Sequence, residues 1–217
     1  MLLLKLFILF IIYSIIGWIL ETLEILLFER RLTNRGFLIG PYCPIYGIGG
    51  ILLVLLLKKY SDDPIVVFAL SVIICAILEY FTSWILEKIF RLRWWDYSHQ
   101  KFHVNGRISL KTMIPFGIGG AFIVCYLNPI LMKWLSLLPN NTIILISSIL
   151  AALFLIDNLI SIPLIINFKK LAQKTHKDST DEIKKYITKH ISSEKNLYKR
   201  LFNSFPELYK VKKNKKK

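Results

Sequence analysis

Five carboxylates interrupt otherwise apolar stretches of this 217-residue chain: Glu21, Glu24, Glu79, Glu87 and Asp157. A charge inside a bilayer costs about 3 kcal/mol or more, so such groups normally face the interior of a helix bundle and have partners. Tyr13, Gly17, Glu21 and Glu24 follow one another at steps of four, four and three, which is one face of a helix. Glu79, Ser83 and Glu87 repeat the pattern. Arg35 and Arg107 come after these helices at matching positions and offer cations. Two readings stay open. The pairs are ion pairs that lock helical hairpins, or they form a charged vestibule that binds a substrate or relays protons. The candidate vestibule comprises Glu21, Glu24, Asn34, Arg35, Tyr46, Glu79, Glu87, Asp96, Asn105 and Arg107.

Backbone groups are a second source of chemistry. Gly40 to Gly50 holds two prolines and four glycines in eleven residues, a composition expected to disrupt a regular helix start and to leave only 51–57 uninterrupted. Gly40, Pro41, Pro44 and Gly47 mark this irregular segment. Irregular backbone at membrane depth needs protein or a water-filled cavity against it. A cavity is expected beside Gly40 to Pro44, and close helix packing at Gly47, Gly50, Gly117 and Gly120. Trp94-Trp95 with Tyr97 has the composition of an interface anchor, and Asp96 is expected to pair with Arg93 or Arg107. His99 and His103 are spaced four apart without a Cys or an HExxH pattern, so no metal is expected. Cys43, Cys75 and Cys125 read as reduced apolar residues. There is no G-x-x-x-x-G-K-[ST], no GxSxG and no assembled nucleophilic triad. The expectation is no cofactor, no catalytic residue and, more readily than not, no enzyme.

The elements that must position these groups are legible from hydropathy. The chain is 54% hydrophobic, with mean hydropathy +0.51, and carries 29 Lys+Arg against 14 Asp+Glu. Residues 1–168 hold 13 basic and 9 acidic side chains, whereas 169–217 hold 16 and 5. That segregation excludes a soluble enzyme, and the positive charge has a simpler use at a membrane face than on nucleic acid. Five stretches reach the length of a membrane helix: about 4–28, 37–57, 64–89, 112–132 and 142–168. The first is too long for a signal-peptide core. Basic loops at 29–36 and 90–111 fall on the same side as the Lys-rich tail, which puts the amino terminus outside and the carboxyl terminus in the cytoplasm of a bacterial plasma membrane.

The chain also repeats. Trp18-Ile19-Leu20-Glu21 recurs as Trp84-Ile85-Leu86-Glu87, Asn34-Arg35-Gly36 is echoed by Asn105-Gly106-Arg107, and Tyr46-Gly47-Ile48-Gly49-Gly50 by Phe116-Gly117-Ile118-Gly119-Gly120. The expected architecture is an all-α, multi-pass membrane protein: two tandem helical hairpins in one orientation, then a fifth span. Parallel repeats place shared sites at their interface. Beyond this transmembrane domain (1–168), the tail 169–217 holds an S-x-x-E capping box at Ser179–Glu182 and helically spaced apolar residues. It reads as a basic amphipathic helix, about 180–205, lying on an anionic leaflet.

These residues resemble the putative ABC-transporter type IV family of bacterial membrane permeases. The resemblance rests on Tyr13-Ser14, Gly17-Trp18 and Glu21; on Asn34-Arg35-Gly36-Phe37-Leu38 with Gly40-Pro41; on Pro44-Ile45-Tyr46-Gly47; on Leu78-Glu79-Tyr80; on Trp94-Trp95-Asp96-Tyr97; and on Asn105-Gly106-Arg107. It covers about residues 5–130 and implies a permease subunit, in a homo-oligomer or beside a separate ATP-binding subunit, with no substrate carried over. The alternatives are a non-catalytic membrane scaffold or sensor, and a membrane-embedded enzyme acting on lipid-linked substrates.

Overall fold

The computed structural model describes residues 1–30, 34, 36, 38–90 and 93–174, with side chains described except at Glu29 and at 167–174. Arg35 and the expected tail helix lie outside them. Five helices follow in order: α1 (Leu2–Glu29), α2 (Pro44–Leu57), α3 (Pro64–Phe90), α4 (Leu110–Leu137) and α5 (Asn140–Lys174). Within α4, the five residues Ile123–Leu127 form a π-helical turn. Four of the five helices, all but α2, are long and apolar enough to cross a membrane. At 1.5 Å per residue, the 14 residues of α2 span about 21 Å, short of a hydrocarbon core about 30 Å thick.

One correction concerns α2. The expected uninterrupted helix was 51–57, yet the helix begins at Pro44. Proline at the first helical position loses only an N–H that would be unpaired anyway, and its fixed φ suits the turn. The glycines that follow are close-packing positions. A Cβ on Gly47 would fall 2.2 Å from Ser14 Oγ, and one on Gly50 would fall 2.4 Å from the Tyr13 ring. The equivalent glycines of α4 meet α3: a Cβ on Gly117 would lie 2.4 Å from Val72, and on Gly120, 2.5 Å from Ser71. Both hairpins thus close in the same way, α2 on α1 and α4 on α3, as expected of these four glycines.

The chain is mostly helical, as expected, with one short strand pair among the described residues. His103–Val104 (β1) pairs antiparallel with Ile108–Ser109 (β2). Asn105 (φ 53°) and Gly106 (φ 66°) form the turn between them, and Arg107 N–H closes it on Val104 O at 3.0 Å. Two successive left-handed residues make the turn type that Asn-Gly favours, because each tolerates positive φ.

Burial is distributed as a lipid solvent demands. Large apolar side chains such as Ile73, Ile77, Phe81 and Ile89 face outward from α3, while Ser71, Glu79, Ser83, Asn128, Ser147, Asp157 and Ser161 are buried. Toward one end of the bundle the core is hydrocarbon: Leu9, Leu53, Val67, Val124 and Ile143 pack around Tyr13. Tyr13 donates its hydroxyl to Asn128 Oδ1 at 3.0 Å, tying α1 to α4. The opposite end, where α1 and α3 finish, holds the polar groups.

Candidate functional site

The segment between α1 and α2 re-enters the bundle. Cys43 N–H donates to the Ser14 carbonyl at 2.9 Å, and Ser14 lies 15 residues, or about 22 Å, before the end of α1. The chain therefore descends alongside α1 before α2 starts, and its irregular backbone meets protein. Asp157 of α5, 8% exposed, holds it. Its carboxylate accepts Ile39 N–H at 2.9 Å, Gly40 N–H at 2.6 Å, Tyr42 O–H at 2.6 Å and Ser161 O–H at 2.6 Å. Beside Gly40 to Pro44, where a cavity is expected, the amides of Ile39, Gly40 and Cys43 are bonded to protein. Pro41 is exposed. On the other flank, Asn34 Oδ1 accepts Trp18 Nε1–H at 2.7 Å, while Asn34 Nδ2 donates to Ile39 O at 3.0 Å.

Beside this segment the two hairpins bring two carboxylates toward each other. Tyr46 of α2 donates to Glu21 Oε1 at 2.8 Å. Tyr97, in the chain after α3, donates to Glu79 Oε1 at 3.0 Å. Glu79 lies within electrostatic reach of Glu21, and Tyr46 of Tyr97. Glu79 is 6% exposed, and its Oε2 has no hydrogen-bond partner among the described residues. Gly17 creates the room on α1: a Cβ there would fall 2.1 Å from Tyr46 Cγ.

A second layer lies further along α3. Arg107 Nη2 is 2.8 Å from Glu87 Oε2, a contact by proximity and not an aligned hydrogen bond, while its Nη1 donates to Ser83 at 3.1 Å. Arg93 stands 3.6 Å from Glu87 and 3.1 Å from Asp96. The carboxyl of Asp96 would be raised by its partial burial, but Ser98 N–H and the Arg93 guanidinium outweigh this and hold it below the ordinary carboxylate range. The β1–β2 turn anchors the layer: Tyr97 N–H donates to Gly106 O at 2.8 Å, Trp95 Nε1–H to Arg107 O at 3.0 Å, and Asn105 Nδ2 to Tyr80 O–H at 3.0 Å.

Of the ten sequence-derived vestibule residues, the structure gathers Glu21, Tyr46 and Glu79 in the deep layer, and Glu87, Asp96 and Arg107 in the outer one. Asn34 supports the re-entrant segment. Asn105 is exposed and works through its turn, and Glu24 is exposed on α1. Of the two tryptophans, Trp94 is 6% exposed and packs edge-on against Phe90, while Trp95 is half-buried and donates its indole N–H to Arg107 O. The vestibule set drawn from sequence does not include Asp157 with Ser161, Tyr42 or Tyr97, although Asp157 stood among the five membrane carboxylates. An aspartate four residues before a serine in an apolar helix was the available signal. No group of three or more His, Cys, Asp or Glu able to hold a metal occurs among the described residues.

No curated protein and no solved structure matches the chain. A family profile described as "Putative ABC-transporter type IV" matches residues 8–162, a stretch that runs from α1 through the re-entrant segment and both polar layers to Asp157 and Ser161. The chain belongs to that ABC-transporter type IV family.

Proposed function

We propose that the chain is the membrane-embedded subunit of an ABC-type transporter, working with a separate ATP-binding subunit, and that its solute passes the polar layers between the two hairpins. In this reading α2 and the re-entrant segment together make a fifth crossing, the amino terminus is outside, and the Lys/Arg-rich end faces the cytoplasm of a bacterial plasma membrane. The observation that carries it is Glu79: a buried carboxylate with one oxygen unpartnered among the described residues, within electrostatic reach of Glu21 on the first hairpin. A helix lock would have both oxygens matched, whereas a group that meets a passing ligand keeps one available. The missing energy source follows from sequence, since the chain has no phosphate-binding loop.

The test is purification of the tagged chain from its native membrane in mild detergent, with mass spectrometry of what accompanies it. A stoichiometric subunit bearing a phosphate-binding loop, whose ATP hydrolysis changes on addition of this chain and whose response is lost in Glu79→Gln, is the expected result. Self-association alone in several detergents, with no such subunit, overturns the proposal. For orientation, Lys215→Cys in a protein freed of native cysteines should resist a membrane-impermeant thiol reagent in intact cells; labelling there reverses the topology.

A further inference from the structure

Away from the inter-hairpin layers, an open groove of about 530 Å³ lies where the β1–β2 hairpin meets the start of α4. Its polar wall carries His99, Lys101 and Lys111, and its apolar wall Phe102, Leu110 and Ile114. Among the described residues, no acidic side chain lines it. Three further observations converge on it. Phe102 is 81% exposed and adopts φ 55°, a left-handed conformation that bulky residues rarely take. Ser109, in the N-cap position of α4, makes no capping bond; its hydroxyl turns to Gln100. The first amide of α4 is also taken, because Leu110 N–H donates to Phe102 O at 3.2 Å, so the positive charge of the groove is that of its lysines. From the groove, Leu110, Ile114, Ile118 and Phe122 run along α4 at four-residue steps, each at least 45% exposed. That stripe is about 18 Å long.

Two lysines on a groove, opening onto an apolar track of acyl-chain length, match one ligand: a phospholipid whose head group is anionic. We propose that this groove is a specific site for an anionic phospholipid, with the phosphate at the start of α4 between Lys101 and Lys111 and one acyl chain on the Leu110–Phe122 stripe. Phe102 closes the glycerol region from the side. A free phosphate would use the cationic half and leave the apolar half empty, so the whole groove favours the lipid. The inference does not depend on the transport reading.

The experiment measures phosphatidylglycerol binding to the delipidated full-length protein in neutral detergent, by native mass spectrometry and by thermal stabilisation. Phosphatidylcholine and inorganic phosphate serve as comparison probes. Because the basic tail also attracts anionic lipid, the decisive comparison is between the unaltered protein and the variant Lys101→Glu/Lys111→Glu, which share that tail. Each lysine near an anionic surface contributes several-fold, so the variant should bind phosphatidylglycerol at least tenfold more weakly. Phe102→Ala, which removes no charge, should weaken it less. Equal response to phosphatidylglycerol and phosphatidylcholine, equal binding by the unaltered and charge-reversed proteins, or full stabilisation by inorganic phosphate alone would each overturn the proposal. Should the double variant fail to fold, Phe102→Ala with Ile114→Ser supplies the same comparison through the apolar wall.

Discussion

Replacing Asp157 by alanine should release the re-entrant segment while leaving the helices in place. The carboxylate accepts four hydrogen bonds, three from the re-entrant segment and one from its own helix. Ile39 N–H also lies 3.2 Å from Ser161 Oγ and keeps that acceptor after the substitution. Ser161 O–H can turn to the carbonyl one turn back on its own helix, whereas Gly40 N–H and Tyr42 O–H lose their partner. Leaving a buried donor unsatisfied costs about 1–3 kcal/mol, so the pair costs about 2–6 kcal/mol, of which water entry recovers part. A retained loss of about 3 kcal/mol raises the population of the opened segment about two orders of magnitude. Cys43 reports this directly: it is 8% exposed at the foot of the segment. With Cys75 and Cys125 replaced by serine, a membrane-permeant maleimide should modify Cys43 about a hundredfold faster in Asp157→Ala. Asp157→Asn, which keeps one carbonyl oxygen, should give a smaller rise. A protein retaining only Cys75 should show no change, which separates local release from general unfolding. A Cys43 rate within threefold of the parent would refute the account of Asp157 as the clasp.

Three further outcomes follow from contacts already described. Gly17→Ala places a Cβ 2.1 Å from Tyr46 Cγ and should cost about 1–3 kcal/mol in a denaturation assay, whereas Gly119→Ala, with nothing within 4 Å, should be neutral or slightly stabilising. Gly106→Ala combines a left-handed φ with a Cβ 2.3 Å from Asp96 Oδ1 and should lower the melting temperature more than Asn105→Gly does. Asp96 has a depressed folded-state pKa, so its contribution is present above its ordinary value of about 3.9 and is lost as pH falls through the lower folded-state value. Asp96→Asn should therefore flatten the acid limb of the stability profile and leave the neutral region lower, by a modest amount because the side chain is 29% exposed.

Much of this arrangement was legible before any coordinates, and the reasons differ by element. The four long helices follow from apolar runs that nothing else in a chain this size can produce. The Glu87–Arg107 and Arg93–Asp96 pairs were visible because opposite charges near a bilayer have few partners to choose from. Glycine at 47, 50, 117 and 120 announced close packing because no other role suits glycine on an apolar helix face. The start of α2 was misread because proline and glycine were weighed as helix breakers without regard to position, and a proline that begins a helix breaks nothing. Glu24 shares the face of Glu21 by spacing, but it lies nearer the end of α1 and is exposed there, which spacing along one helix does not reveal. Asp157 was recognised as a buried charge but not as the clasp, because its partners are backbone amides about 117 residues away, and amides leave no signature in a sequence. The contacts of the Trp94-Trp95 pair were hidden for the same reason: the acceptor of Trp95 is a carbonyl.

The π-helical turn at Ile123–Leu127 has a bearing on how α4 tolerates change. Asn128 N–H reaches back five residues to Ile123 O, and Pro129 follows with no N–H to give. A wider turn spares the ring a clash with the preceding carbonyls. It also inserts one residue into the winding, which rotates everything before it by roughly 100° relative to everything after. The glycine face that meets α3 and the Asn128 side chain that meets Tyr13 are thus phased independently, as if α4 were two helices spliced end to end. Removal of a single residue from this turn would restore regular winding and an unbroken apolar profile. It would nonetheless swing either the Gly117 and Gly120 contact or the Asn128 contact out toward lipid, so a change almost invisible to hydropathy would uncouple the two hairpins.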